Sequence, residues 1–285
     1  QTCVNGACAG KCSQGQTQCS GNAIETCDAT GNYAVSQTCA VACCNSACVD
    51  TATDTKNCGA CGNACVTGAT CGTGFSAFNG TQPANWNANG DATYDSGNQA
   101  AELTAAVATQ AGAWVYQHAL FVDTATIQFD FYAGGGDGAD GLGLMLETNG
   151  PTAVGISGGG LGIAGLSGFG VELDTYDNEE CMDDSSNHIA IDSLAACGDG
   201  APTSLLVNDA PGFTLGDGAW HTVVVEIVSG AFTVTADNNG EVAAYTPTGW
   251  ANASYYLGFG AGTGGQTNVH EVRNVSVTFA TPHCY

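Results

Sequence analysis

The sequence predicts an all-β protein, a jelly-roll sandwich preceded by a small disulfide-rich module. Three observations carry that expectation. Apolar and polar residues alternate over short stretches, and no stretch shows the 3.6-residue apolar period of a helix. Glycine is frequent, 42 Gly against 6 Pro in 285 residues, which supplies turns for many short strands. Thirteen of the 16 cysteines lie between Cys3 and Cys71, and only Cys181, Cys197 and Cys284 lie beyond.

The charge balance removes whole classes of function. Asp and Glu number 27 against 3 Lys and Arg, a formal net charge of −24. Lys11, Lys56 and Arg273 form no basic patch that could neutralise phosphates, so nucleic acid is excluded as a partner. An anionic membrane surface is disfavoured for the same reason, and no apolar run of 18 residues exists to insert into a bilayer. Sixteen cysteines point to an oxidising, extracellular setting. A chain that starts at Gln1 without Met fits a secreted product whose signal peptide has been removed.

The module comes first. Residues 1–72 hold few aliphatic side chains and cannot build a large core, so disulfides are expected to supply the stability. Two sub-blocks are visible, about 1–43 and 44–72. The second contains Cys58-Gly-Ala-Cys61-Gly-Asn-Ala-Cys65, whose CxxC spacing could hold zinc. Disulfides are the preferred reading, because the setting is extracellular and the block has no histidine. Its wording resembles short cysteine-rich repeats on secreted proteins of myxobacteria, a resemblance that implies a surface or spacer module without chemistry.

Residues 73–285 read as strands. Thr126–Phe131 alternates polar and apolar, as a half-buried strand does. Trp220–Val228 and Ala231–Ala236 form a second alternating pair around Ser229-Gly230, a tight hairpin turn. Val275, Val277 and Phe279 alternate again near the C-terminus. Trp86, Trp114, Trp220 and Trp250 are expected in core and rim packing. His118, His221, His270 and His283 show no partner pattern and are given structural or surface roles.

The segment from Gly170 to Asp192 carries the chemistry. Val171, Leu173 and Thr175 alternate with Glu172, Asp174 and Tyr176, which puts both acids and the aromatic on one strand face. Two neighbouring carboxylates need a cation or a proton to neutralise them. Asn178, Asp183 and His188 follow at offsets of four, nine and fourteen from Asp174. Carboxylate and amide oxygens suit Ca²⁺, and an imidazole among carboxylates suits Mn²⁺ or Zn²⁺.

This order of residues closely resembles the legume-type (L-type) lectins. The resemblance runs from about Phe75 to Phe279 and implies a concanavalin-like jelly-roll sandwich. It implies calcium held by Asp174, the Tyr176 carbonyl, Asn178 and Asp183. It implies a transition metal, Mn²⁺ foremost, held by Glu172, Asp174, Asp183 and His188. Ala139-Asp140-Gly141 matches the first sugar-binding loop, with a cis Ala139–Asp140 peptide and an Asp that accepts from sugar hydroxyls. Gly158–Gly162 matches the second loop, where the Gly159 N–H donates to the sugar. Gly258–Gln266 matches the fourth, with Gly265 and Gln266 at its tip. Asn178 and the Tyr176 ring complete the implied sugar site.

Two disulfides are expected outside the module's own. Cys181 and Cys197 flank the His188 strand and read as a local bridge. Thirteen is odd, so Cys284 should pair with one of the thirteen, foremost Cys71, because the terminal strands of such sandwiches run side by side.

The function expected is a secreted, calcium-dependent carbohydrate-binding protein at the cell surface, a lectin or adhesin whose partners are glycans or glycoconjugates. A structural subunit that self-associates into an oligomer, filament or coat is the alternative. A glycoside hydrolase is the third reading, since Glu172-Leu-Asp174-Thr-Tyr-Asp177 approaches the acid pair of retaining enzymes, about 5–5.5 Å apart. No second Glu falls in place, so no catalytic residue is assigned. Asn79, Asn252 and Asn274 begin glycosylation sequons.

Overall fold

The computed structural model describes residues 2–4, 7–178, 185–198, 200–237, 239–251 and 253–285, with side chains from Gly10 onward. It forms two compact units. One is Gln1–Thr73 with Thr281–Tyr285, and the other is Gly74–Ala280. No helix among the described residues is long and apolar enough to cross a membrane.

In the first unit β1 (Thr2–Val4) pairs with β2 (Ala7–Ala9). β3 (Thr17–Ser20), β4 (Ala23–Cys27) and β5 (Tyr33–Thr38) make a three-stranded sheet, and β6 (Ala42–Cys44) pairs with β7 (Ala47–Val49). Its buried interior is mostly sulfur: Cys12, Cys27, Cys39, Cys43, Cys44, Cys58 and Cys71 sit with Ile24 below a tenth exposure. Among the described side chains of this unit the bridges are Cys12–Cys27, Cys19–Cys43, Cys39–Cys48, Cys44–Cys61, Cys58–Cys71 and Cys65–Cys284. Cys58 and Cys61 of the CxxC stretch are thus both in disulfides.

The expected Cys71–Cys284 bridge does not form. Cys284 does pair with one of the thirteen early cysteines, but with Cys65, and Cys71 bonds Cys58. The proximity behind the expectation holds: Thr70 and Tyr285 exchange both backbone hydrogen bonds, at 2.6 and 2.8 Å. The 58–65 loop lies against that strand pair, with Cys58, Cys65 and Cys284 sulfurs all within 4.8 Å of one another. Each strand cysteine therefore bonds to the loop and not across the ladder. Two adjacent bridges staple the loop down, and the last five residues, Thr281–Tyr285, which include the end of the final strand, belong to this unit.

The second unit is a two-sheet sandwich. Its strands are β8 (Cys71–Ala77), β9 (Trp86–Gly90), β10 (Thr93–Asp95), β11 (Ala100–Thr104), β12 (Ala111–Tyr116), β13 (Leu120–Phe121), β14 (Thr124–Gly134), β15 (Gly141–Glu147), β16 (Gly168–Asp174), β17 (His188–Cys197), β18 (Ala201–Asn208), β19 (Trp220–Val228), β20 (Ala231–Ala236), β21 (Glu241–Tyr245), β22 (Ser254–Gly262) and β23 (Val269–Cys284). One sheet runs β10-β11-β23-β14-β19-β20-β21 with β8 on β23. The other runs β18-β17-β16-β15-β22-β12-β9 with β13 on β22. The β19–β20 hairpin turns on Ser229 and Gly230, both at positive φ.

The core lies where the two inner faces meet. Ile127, Phe129 and Phe131 alternate inward from β14, and Val223, Val225 and Ile227 do so from β19. Phe129 meets Phe259 of β22 across the sandwich at 4.9 Å between ring centroids. Trp86 and Trp114 are core residues, while Trp220 and Trp250 are half-buried. The outer face of the second sheet is covered as well. Leu161 and Ile163 of a long connection pack there on Ala113, Val115 and Met145.

That connection can lie close because the sheet beneath it is glycine. A Cβ on Gly260 would come 2.7 Å from Gly162 O, and one on Gly262 would come 2.5 Å from Gly158 O. Both are closer than real Cβ contacts allow, so larger residues would lift the connection from the sheet. This packing sets the Gly158–Gly160 turn beside the end of β16.

Candidate functional site

β16 delivers the central acids. Glu172 and Asp174 are two residues apart and share its outer face, opposite Ala190 and His188 of β17 in the antiparallel register. Glu172, Asp174 and His188 are all buried, at 3%, 1% and 0% exposure. One ligand atom from each lies within 4.8 Å of the other two. His188 Nε2 is 3.5 Å from Glu172 Oε2. Its Nδ1 sits 2.8 Å from the Ser185 carbonyl, an acceptor, so Nδ1 carries the proton. Nε2 is left to face the carboxylates, the arrangement typical of metal-binding histidines. Two carboxylates and such an imidazole, buried together, are a donor set that fits a divalent cation.

A third carboxylate belongs to this face, and sequence reasoning missed it. Asp192 lies four residues after His188 on β17 and is fully buried. Burial, and then the adjacent Glu172 carboxylate, push Asp192 well above the usual carboxylate range. The period-two pattern His188-Ile-Ala-Ile-Asp192 already placed it on the face of His188, and that signal could have found it.

After β16 the chain turns through Tyr176 and Asn178. Tyr176 N–H donates to Asp174 Oδ1 at 2.6 Å. Thr175 anchors the neighbouring loop: its N–H and its Oγ1 both donate to the Asp140 carbonyl, at 2.9 and 2.8 Å. The Ala139–Asp140 peptide is cis, and Asp140 N–H donates to Gly262 O at 3.1 Å. Gly158 N–H donates to Thr263 O at 3.1 Å. A Cβ on Gly264 would lie 3.2 Å from Asp140 Oδ2 and 3.7 Å from Gly158 Cα.

Asp140, Gly159, Asn178 and the start of the Gly264–Gln266 loop are therefore brought to one place, beside the Glu172–Asp174–His188 cluster. Gly265 and Gln266 are exposed at its margin. Asp183 and Cys181 lie outside the described residues. Cys197 is disulfide-bonded, and the expected Cys181–Cys197 pairing remains a proposal.

A jelly-roll sandwich with a buried acid–imidazole cluster at the end of its outer face, ringed by glycine-rich loops, defines a class. Residues 79–276 match the legume lectin β-barrel domain, and the chain belongs to that family. Among solved structures, the metal-free exoplasmic/lumenal domain of VIP36 superposes with a TM-score of 0.60 at 20% identity, covering 73% of this chain and 96% of that one. Its Ca²⁺/Man-bound form gives 0.56 at 18% identity, with 73% and 91% covered. The Bauhinia forficata lectin in complex with GalNAc gives 0.58 at 20% identity, with 73% and 98% covered. At these identities the likeness is one of fold. The pesticidal crystal protein Cry22Aa of Bacillus thuringiensis is 40% identical over 108 residues, which is 36% of this chain and 15% of that protein.

Proposed function

We propose that the sandwich is a calcium-dependent carbohydrate-binding domain of an extracellular or lumenal protein, with glycans or glycoconjugates as its ligands. The observation that carries this is the convergence of Asp140, Gly159, Asn178 and Gly264 beside the buried Glu172–Asp174–His188 cluster. The Ca²⁺/Man-bound VIP36 structure and the GalNAc-bound Bauhinia lectin support it, as does the disulfide content.

In this reading Asp174, the Tyr176 carbonyl, Asn178 and Asp183 hold calcium. Glu172, Asp174, Asp183 and His188 hold a transition metal such as Mn²⁺. The ions supply positive charge that keeps the carboxylates and Asn178 in place. Asp140 accepts from sugar hydroxyls, while Gly159 N–H and Asn178 Nδ2 donate to them. Tyr176 offers its ring to the apolar face of the pyranose, and Gly265 and Gln266 form the outer rim. No catalytic role is assigned. Glu172 is buried against His188 while Asp177 is exposed, so the pair does not flank one open cleft as glycosidase acids do.

A glycan array read with calcium and manganese, then with chelator, tests this. Binding to a defined set of glycans that is lost on chelation is expected. Asp140→Asn should keep calcium affinity and lose glycan signal, because Asp140 is not a metal ligand here. A blank array with metals loaded, or signal indifferent to chelator and to Asp140→Asn, refutes the assignment.

A further inference from the structure

His221 lies outside the metal and sugar residues, yet its surroundings lead into them. It is on β19, buried at 8% exposure. Its ring is packed against Phe213 and Phe131, with centroids at 4.6 and 5.4 Å. Nδ1 is 2.8 Å from Asp237 Oδ2 and Nε2 is 3.0 Å from Asp217 Oδ1. A carboxylate oxygen only accepts, so both contacts are hydrogen bonds when both ring nitrogens carry protons. Asp237 also accepts from Thr222 N–H at 2.9 Å. Burial acts to raise the Asp217 carboxyl, but hydrogen bonds from His221 and Ala219 N–H hold it below the usual range. The next carboxylate along this end of the sheet, Asp130, is engaged by Thr222, Asn274 and Arg273.

Asp217 lies near the end of the connection between β18 and β19, and that connection touches the site at two points. Asn187, beside His188, donates from Nδ2 to Phe213 O at 2.9 Å and accepts from Leu215 N–H at 2.8 Å. Gly216 backs onto Thr175: a Cβ there would lie 3.4 Å from Thr175 Cγ2. Thr175 is the residue whose two hydrogen bonds hold the Asp140 carbonyl.

We infer that Asp217, His221 and Asp237 form a clamp that positions the metal and sugar site, by pressing the Phe213–Gly216 segment against Asn187 and Thr175. His221 and Asp217 are positioning residues. They touch neither the metal cluster nor Asp140, and act through the segment between. The inference rests on the binding function proposed above, but its structural half can be read without any ligand.

The test follows amide hydrogen exchange in the metal-free protein at Thr175 and Leu215, with Val225 in mid-β19 as reference. His221→Phe and Asp217→Ala should speed exchange at Thr175 and Leu215 by about tenfold or more and leave Val225 unchanged. Asp217→Asn keeps a side-chain oxygen for the imidazole and should restore protection to within about threefold of wild type. Asp217 is exposed at the surface, so the Ala/Asn pair carries the test if His221→Phe does not fold. Wild-type exchange at Thr175 and Leu215 in Asp217→Ala overturns the clamp. So does faster exchange at all three positions, which marks a general loss of stability.

Calcium titration by calorimetry then reads the link to the site, with about 3- to 10-fold weaker binding expected in Asp217→Ala and near-wild-type binding in Asp217→Asn. Equal calcium affinity in all three proteins overturns that link. If exchange responds but the wild type takes up no calcium, the clamp stands and the calcium assignment falls.

Discussion

Gly159 and Asn178 leave no room for a side chain between them: a Cβ on Gly159 would lie 2.6 Å from Asn178 Oδ1 and 3.1 Å from its Nδ2. The backbone of the glycine turn therefore rests on the amide assigned to face both calcium and sugar. Gly159→Ala must push Asn178 aside or lift the turn. Overpacking of this kind costs about 1–3 kcal/mol, roughly a 5- to 150-fold loss in glycan affinity. Thermal melts of the metal-free variant should stay near wild type, because the contact is at the rim of the sandwich. Undiminished glycan affinity in Gly159→Ala would show that Asn178 does not bind where it is placed.

Asn178→Asp separates the two duties of that side chain. An oxygen ligand survives, so calcium uptake and the fold should persist. The N–H donor is gone and a carboxylate faces a sugar oxygen, which costs about 1–3 kcal/mol of glycan affinity. Calorimetry with calcium first and glycan second checks both halves. Loss of calcium with glycan affinity intact would reverse the assignment.

Glu172→Gln should act in opposite directions on the metal-free and metal-loaded forms. Buried carboxylates beside one another destabilise the metal-free protein, so removing one charge is expected to raise its stability by about 1 kcal/mol. The same change should sharply reduce the stabilisation that added Mn²⁺ gives through binding to the native state. Differential scanning calorimetry with and without metal reads both. A metal-induced rise in Tm equal to that of wild type would remove Glu172 from the ligand set.

Stability against pH should be set in part by two neighbours on β23. His270 is fully buried, and burial lowers its pKa from 6.5 to about 3. The unfolded chain takes a proton there below about pH 6.5 and the native protein does not. Stability is thus intact above that pH and falls by up to about 1.4 kcal/mol per unit as the pH drops toward 3. Glu271 behaves in the opposite sense. Burial first, then a hydrogen bond and charge from Asp95, raise it from 4.5 to about 7. The native protein keeps a proton that the unfolded chain releases, so stability falls as the pH rises from about 4.5 to 7. Glu271→Gln mimics the protonated acid and should stabilise by about 1–2 kcal/mol at pH 8 but little at pH 5. Urea unfolding at both pH values measures the difference. A gain of equal size at both would mean that Glu271 does not titrate in this range.

Replacing Cys65 and Cys284 together by Ser opens a bridge with a sequence separation of 219. A cost of about 2–5 kcal/mol is expected on the first unit, because its unfolded state regains the freedom that the crosslink removed. Disulfide mapping of the unmodified protein should yield a Cys65–Cys284 peptide pair and a Cys58–Cys71 pair. Recovery of a Cys71–Cys284 peptide would instead restore the pairing expected from the sequence.

Strand positions were legible wherever alternation was clean. Trp220–Val228 and Ala231–Ala236 were read with their observed limits, because each buries one face only. The acid cluster was legible from spacing: Glu172 and Asp174 share one face of β16, and β17 opens on His188 directly opposite Asp174. Tyr176 was read onto the strand face with Glu172 and Asp174, whereas β16 ends at Asp174 and Tyr176 lies in the turn beyond it. The choice between Cys71 and Cys65 was not legible. Strand proximity is a backbone property, while the bridge depends on where the 58–65 loop lies, and no local pattern encodes that. The His221 contacts were hidden for a similar reason: Asp217 and Asp237 come from two separate connections, and only the folded sheet brings them to one ring.

The glycines of β15 and β22 have a further consequence. Gly141, Gly143, Gly260 and Gly262 carry no side chains, so this stretch of the sheet is a bare floor. A bare floor has nothing to vary, and substitution there by anything larger unseats the connection resting on it. Within the loops above that floor the open position is Gly265, where an added Cβ meets nothing within 4 Å, so ligand preference is expected to vary at Gly265–Gln266. That tip can be exchanged while the strands and the Gly158–Gly160 turn stay the same, which makes it the place to graft a new binding preference onto an unchanged sandwich.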